Sequence, residues 1–140
     1  MKPNRKTTTL TLTALVLAGQ LSAPAAALAQ SLPVSGDVHI ADAFPDQAFR
    51  TWLLNGKNLD GAGADGILTE EERLAVKSLN LSGLGLTSLD GLEAFPNLQV
   101  LDCSQNNLTE LDLSGNPALE RLHCANNQLR SLDLSKNPTL

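Results

Sequence analysis

Histidine is scarce in this chain. His39 and His123 are the only two, in separate parts of the 140 residues, and no serine–histidine–acid set forms around either. No glycine-rich phosphate loop and no zinc spacing occurs. Glu70–Glu72 is the nearest thing to a carboxylate cluster, but adjacent helical residues point in different directions, and acids are ordinary in a first helical turn. The sequence therefore reads as a non-enzyme with no catalytic residues. Long apolar runs are missing too. The stretch Leu10–Leu21 is shorter than the roughly 20 residues that span a bilayer. It follows Lys2, Arg5 and Lys6 and precedes Ala27-Leu28-Ala29, so residues 1–29 read as a secretory signal peptide cut between Ala29 and Gln30. The expected location is secreted or cell-surface. Basic residues are few as well. Beyond residue 29, seven Lys and Arg face fifteen Asp and Glu, a net charge of −8 over 111 residues. That length suits one domain. The acidic balance argues against nucleic acid and anionic membrane as partners, and nothing beyond the signal is apolar enough to insert in a membrane.

What the chain does have is repetition. Leu98–Leu119 reads LQVLDCSQNNLTELDLSGNPAL and Leu119–Leu140 reads LERLHCANNQLRSLDLSKNPTL, with matches at a spacing of 21 that include Leu101/Leu122, Cys103/Cys124, Asn106/Asn127, Leu113/Leu134 and Asn116/Asn137. A fixed period of this size marks a stacked solenoid, whose surfaces more often bind than catalyse. Each unit holds two phrases: Leu98-x-x-Leu101-x-Cys103-x-x-Asn106-x-Leu108, then Leu108-x-x-Leu111-x-Leu113-x-x-Asn116-Pro117-x-Leu119. The alternation around Leu101-Asp102-Cys103 predicts a strand with one buried face. The asparagines fall at turns, where their amides can satisfy unpaired backbone groups and stack into a ladder. A divergent unit precedes these two. Leu79, Leu81, Leu86 and Leu89 align at a spacing of 22, Leu84 stands for the turn asparagine, and Leu92–Pro96 replaces the second phrase, as a terminal coil tends to do.

At these residues, over 79–140, the chain resembles bacterial leucine-rich-repeat proteins. The first unit is similar to the internalin style of repeat. The next two are similar to the nested 21-residue, IRREKO-type pattern LxxLxCxxNxLxxLDLxxNPx. The resemblance implies an α/β solenoid: a leucine-rich-repeat right-handed parallel β solenoid preceded by a small helix–loop–helix cap. It also implies a secreted or surface protein of unassigned ligand, often with further domains.

Cys103 and Cys124 occupy the same repeat position. In an exported protein a pair suggests a disulfide. Stacked strands lie about 4.8 Å apart, within bridging distance. Two side chains pointing in parallel into a core make the bridging dihedral hard to reach, which favours free thiols packed as small hydrophobes.

The alternation also predicts which side chains face outward. These are Ser78, Asn80 and Ser82, then Val100, Asp102 and Ser104, then Arg121, His123 and Ala125, with Glu110, Asp112, Ser114, Ser131, Asp133 and Ser135 on the second phrase. The candidate binding face is Asn80, Val100, Asp102, Ser104, Arg121, His123 and Ala125, with Asp102 and His123 as a cross-strand pair. The alternative is a solvated face that only keeps the solenoid soluble.

Residues 40–77 have a different texture, after a flexible lead-in over 30–39. Phe44–Leu54 predicts a helix with Pro45 at its first position and an apolar stripe of Phe44, Ala48, Phe49, Trp52 and Leu53. Three of the chain's four aromatics lie here, and their expected role is to plug the open end of the solenoid. A second helix is expected to start at Thr69, which forms a capping box with Glu72. The intervening loop half-matches an EF-hand. Asp65, Gly66, Ile67, Thr69 and Glu72 fit its second half, but Gly61 and Gly63 stand where the first and third ligands belong. Asp60 is one residue early. Two readings follow: a non-standard calcium site using Asp60, Asp65, Ile67, Thr69 and Glu72, or a packing relic of the motif. An FPDxxFR helix, an EF-hand-like loop and nested repeats together resemble the N-terminal region of secreted bacterial leucine-rich-repeat proteins.

The chain stops on the leucine that would open another unit, so it is expected to be the front part of a longer protein. The expected function is recognition of a protein or glycan by the solenoid surface. The alternatives are an accessory region of a secreted enzyme whose catalytic domain lies beyond residue 140, or a structural stalk.

Overall fold

The computed structural model describes residues 35–140; the expected signal peptide, 1–29, lies outside the described residues. The repeat region contains β3 (Ser78–Asn80), a 3₁₀ turn (Leu92–Ala94), β4 (Val100–Asp102) and β5 (Arg121–His123). Its three strands form one parallel sheet, with Leu79 opposite Leu101 and Leu101 opposite Leu122. These offsets are the spacings of 22 and 21 read from the sequence. The alternating leucines turn inward, and Leu79, Leu81, Leu101, Cys103, Leu108 and Leu119 are at most 1% exposed.

The asparagines do the work a turn requires. The Nδ2 of Asn106 donates to Leu81 O and Cys103 O at 2.8 and 3.0 Å, and its Oδ1 accepts from Leu84 N and Leu86 N. One coil on, Asn127 donates to Cys103 O and Cys124 O and accepts from Leu108 N. Each amide thus ties its own turn to the coil before it and satisfies buried backbone groups that have no ladder partner. The residue before each of these positions must adopt positive φ. The first coil uses Gly83 (φ +67°), and the later coils force Gln105 (φ 57°) and Asn126 (φ 56°) into the same conformation. A second asparagine column is less well served. Asn116 donates to Leu92 O and Phe95 O, and Asn137 to Leu113 O and Asn116 O, while the Oδ1 of each is buried without a partner. Of the lower-coil acceptors, Phe95 and Asn116 are followed by Pro96 and Pro117, which have no N–H to give.

The preceding segment contains β1 (Val38–His39), α1 (Ile40–Ala43), α2 (Gln47–Leu54), β2 (Ile67–Leu68) and α3 (Glu70–Ala75). Helix α2 starts later than expected. Pro45 is not its first residue, because the Asp46 carboxylate caps it, with Oδ1 accepting from Ala48 N and Phe49 N at 2.8 and 3.0 Å. The Oδ2 of the same carboxylate accepts from Thr87 N, Thr87 Oγ1 and Ser88 N in the first coil. Burial pushes this carboxyl's pKa up, but the N–H groups of Thr87, Phe49 and Ser88 and the Thr87 hydroxyl outweigh it and hold the pKa below the usual value. Arg50 donates to Phe44 O and Pro45 O, which completes the structural role of the FPDxxFR phrase. Phe44 packs edge-on against Phe49 at 5.0 Å and lies 6.0 Å from Phe95 of the first coil. The capping box at Thr69 and Glu72 is formed as expected.

One finding departs from the sequence reading, and a buried cation is added to it. The end of the lead-in is structured: β1 pairs antiparallel with β2, and Val38 is buried. Arg73 is the buried residue of α3, while Leu74 is 40% exposed. The Arg73 guanidinium donates to Gly36 O through Nε and Nη2 and to Ala94 O through Nη1 at 2.8 Å. A buried guanidinium needs such acceptors, and these connect three chain segments.

Candidate binding face

The structure gathers the predicted outward residues on one side of the sheet. Ser78, Val100 and Arg121 form one cross-strand row, and Asn80, Asp102 and His123 form the next. Asn80, Arg121, His123 and Ala125 are exposed, and Val100, Asp102 and Ser104 are half-buried. Asp102 and His123 are directly opposite, and the imidazole's charge helps stabilise the carboxylate.

Local hydrogen bonds divide these residues into two kinds. Asp102 Oδ1 accepts from Ser104 Oγ at 2.6 Å and from Ser104 N at 3.0 Å. The Ser104 hydroxyl first, then its N–H, holds the carboxyl's pKa below the usual value against slight burial, with His123 adding to the effect. Asn80 Oδ1 accepts Ser82 N, Asp112 Oδ1 accepts Ser114 N, and Asp133 Oδ1 accepts Ser135 N in the same way. An acid or amide two residues before a serine thus closes an Asx turn as each strand or extended stretch ends. These groups already have structural employment. His123-Cys124-Ala125 is the exception, with imidazole and methyl replacing the acid and serine. Val100, Arg121 and His123 are the face residues without a local turn to close. The sequence reading missed this division, although the recurring Asp/Asn-x-Ser triplet carries it.

The five residues of the calcium reading have these places in the structure. Asp60 has positive φ at the head of the loop, and Asp65 Oδ1 accepts Ile67 N at 3.0 Å. Ile67 lies in β2, paired with His39. Glu72 Oε2 accepts from both the N–H and the hydroxyl of Thr69, so the expected bidentate ligand is engaged in the capping box. Among the described residues no group of three or more His, Cys, Asp or Glu side chains comes together to hold a metal ion. Both cysteines are free thiols, Cys103 buried and Cys124 half-buried. Burial, then the neighbouring Cys124 and Asp102, push the Cys103 pKa up to about 12. Among the described residues no helix is long and apolar enough to cross a membrane.

Residues 75–115 match the family described as leucine rich repeats, in two copies. The chain's fold is similar to three solved structures from Listeria monocytogenes. The functional domain of InlJ, described as including a cysteine ladder, is 29% identical with a TM-score of 0.65, over 78% of this chain and 24% of that one. The internalin InlF is 24% identical with a TM-score of 0.67, over 79% and 32%. Internalin C2 is 19% identical with a TM-score of 0.66, over 79% and 49%. The chain thus spans a quarter to a half of the length of these internalins. The comparison with curated proteins gave no match.

Proposed function

We propose that this chain is an exported recognition module that binds a protein partner across the outer face of its three-stranded sheet, with the helical segment capping the solenoid. One observation carries the reading. The rows of the sheet bring Val100, Arg121 and His123 together on an outward face without local turn duties, beside acids and amides that have them. Side chains held in register on a rigid sheet, with no structural task of their own, are what a contact surface needs. The leucine-rich pattern and the likeness to internalin folds support binding over catalysis. Export rests on the three-part N-terminal pattern alone. We also extend to Cys103 and Cys124 the reading of a cysteine ladder, since they occupy equal positions on neighbouring strands.

The test is capture of a partner from bacterial and host surface extracts by the immobilised chain, followed by the double variant Arg121→Glu with His123→Ala. A captured protein that the double variant releases, while an Asp112→Ala control retains it, supports the sheet face. Unchanged capture by the double variant, or no capture at all, overturns it.

A further inference from the structure

A second candidate surface lies away from the sheet face. Between α2 and the turn of the first coil is a cleft of about 580 Å³, lined by Gln47, Thr51, Trp52, Asn55, Asn58 and Leu84. It is open to solvent along most of its length, so a ligand would lie on it and not be enclosed. Its chemistry is unusual for this acidic chain, because none of these residues carries a charge. An ionic ligand would find no partner among them.

The cleft also holds the chain's only tryptophan. The three phenylalanines are 0% exposed, while Trp52 is half-exposed, and its indole N–H has no hydrogen-bond partner among the described residues. An aromatic body at the water boundary with an unspent polar edge is poised to contact a ligand that is part apolar and part hydrogen-bonding. Leu84 supplies a second apolar wall. It stands where the next coil places the buried Asn106, yet it is 36% exposed, so the first coil's divergence from the repeat opens this side of the cleft.

The polar groups are partly pre-set. Asn58 Nδ2 donates to Trp52 O at 2.7 Å, which leaves its Oδ1 as an acceptor. Asn55 Oδ1 accepts Lys57 N at 3.3 Å, which leaves its Nδ2 as a donor. Thr51 Oγ1 donates to Gln47 O at 2.8 Å, which leaves its lone pairs. The Gln47 amide has both functions unspent among the described residues. Neutral donors and acceptors fixed around an aromatic ring match a ligand with alternating C–H faces and hydroxyls. From this we infer that the cleft is a subsite for a neutral saccharide, which stacks on Trp52 and is hydrogen-bonded by the Gln47, Asn55 and Asn58 amides. This site is independent of the protein-binding face proposed above.

With one tryptophan and no tyrosine, intrinsic emission reports on this cleft alone. The probes are cellotriose and tri-N-acetylchitotriose in solution, with cellulose and chitin pelleting to separate a polymer source from a free oligosaccharide. A saturable change in Trp52 emission with a trisaccharide is expected. Gln47→Ala and Asn58→Ala should each weaken binding about tenfold, as the loss of one useful hydrogen bond does. Trp52→Ala should abolish calorimetric binding, and its melting temperature checks that it folds. Asp102→Ala and His123→Ala should leave sugar binding unchanged, so failure here and failure of the sheet face remain distinct. The inference is overturned if no neutral probe binds at about 10 mM, if binding survives all three cleft variants, or if only sulfated or carboxylated glycans bind.

Discussion

Residues 98–119 and 119–140 carry nearly the same sequence pattern but have different surroundings. Leu101, Cys103 and Leu113 are at most 1% exposed, whereas Leu122 and Cys124 are half-buried and Leu134 is 38% exposed. The first of these coils lies between two others, with β4 bonded to both β3 and β5, while among the described residues β5 pairs with β4 alone. In a stacked fold, burial is a property of the neighbouring coil as much as of the residue itself.

The largest test of this contrast is a matched pair of truncations. Leu101→Ala should cost about 3 kcal/mol and Leu122→Ala about 1 kcal/mol in urea unfolding, since only the first leaves a fully enclosed void. Equal costs would erase the distinction. Next comes an exchange of equivalent residues. Gly115 faces the 3₁₀ turn so closely that an added Cβ would meet the Cβ of Glu93 and come within 2.8 Å of its Cα, whereas the next coil carries Lys136 at that position. Gly115→Lys should cost about 2 kcal/mol through overpacking, while Lys136→Gly should stay within about 1 kcal/mol.

The thiols give a third, pH-dependent contrast. Cys103, with its pKa pushed up to about 12, stays protonated in the fold over a range where the unfolded thiol, at 9.0, ionises. Its contribution is therefore complete below pH 9 and is lost as pH rises towards 12. Native alkylation followed by mass spectrometry should modify Cys124 first and Cys103 only on unfolding, and Cys103→Ala should flatten the loss of stability at high pH. A smaller effect is expected at the left-handed turn positions. Gln105→Gly should gain about 0.5 kcal/mol, the relief of positive φ set against extra freedom in the unfolded chain. Asn126→Gly should gain less, because asparagine tolerates that conformation better. At the end of the scale, millimolar calcium should leave the melting temperature unchanged, because Glu72 is engaged with Thr69.

Periodicity made the repeat region legible. Register at 22 and 21, inward leucines, the asparagine ladder and the outward face all follow from residues that recur at fixed intervals, and the capping box is local enough to read directly. The junction between helices and coils has no period. Asp46 reaches Thr87, Arg73 reaches Gly36 and Ala94, and Trp52 lines a cleft with Leu84. Each contact joins distant parts of the chain whose approach no spacing rule predicts. The calcium reading has a related limit: a ligand pattern records which residues are present, and not which hydrogen bonds already occupy them. Glu72 suits both an EF-hand loop and a capping box, and the geometry gives it to the box.

Asp46 divides one carboxylate between two segments, with Oδ1 starting α2 and Oδ2 binding the Thr87–Ser88 backbone. A single proton therefore weakens the helix start and its seat on the first coil together. With the folded pKa held below the usual value, this joint contribution is present above the ordinary carboxylate range and is lost as pH falls through the folded pKa. The helices and the first coil are thus fastened by one acid-labile latch, so that acid loosens both together.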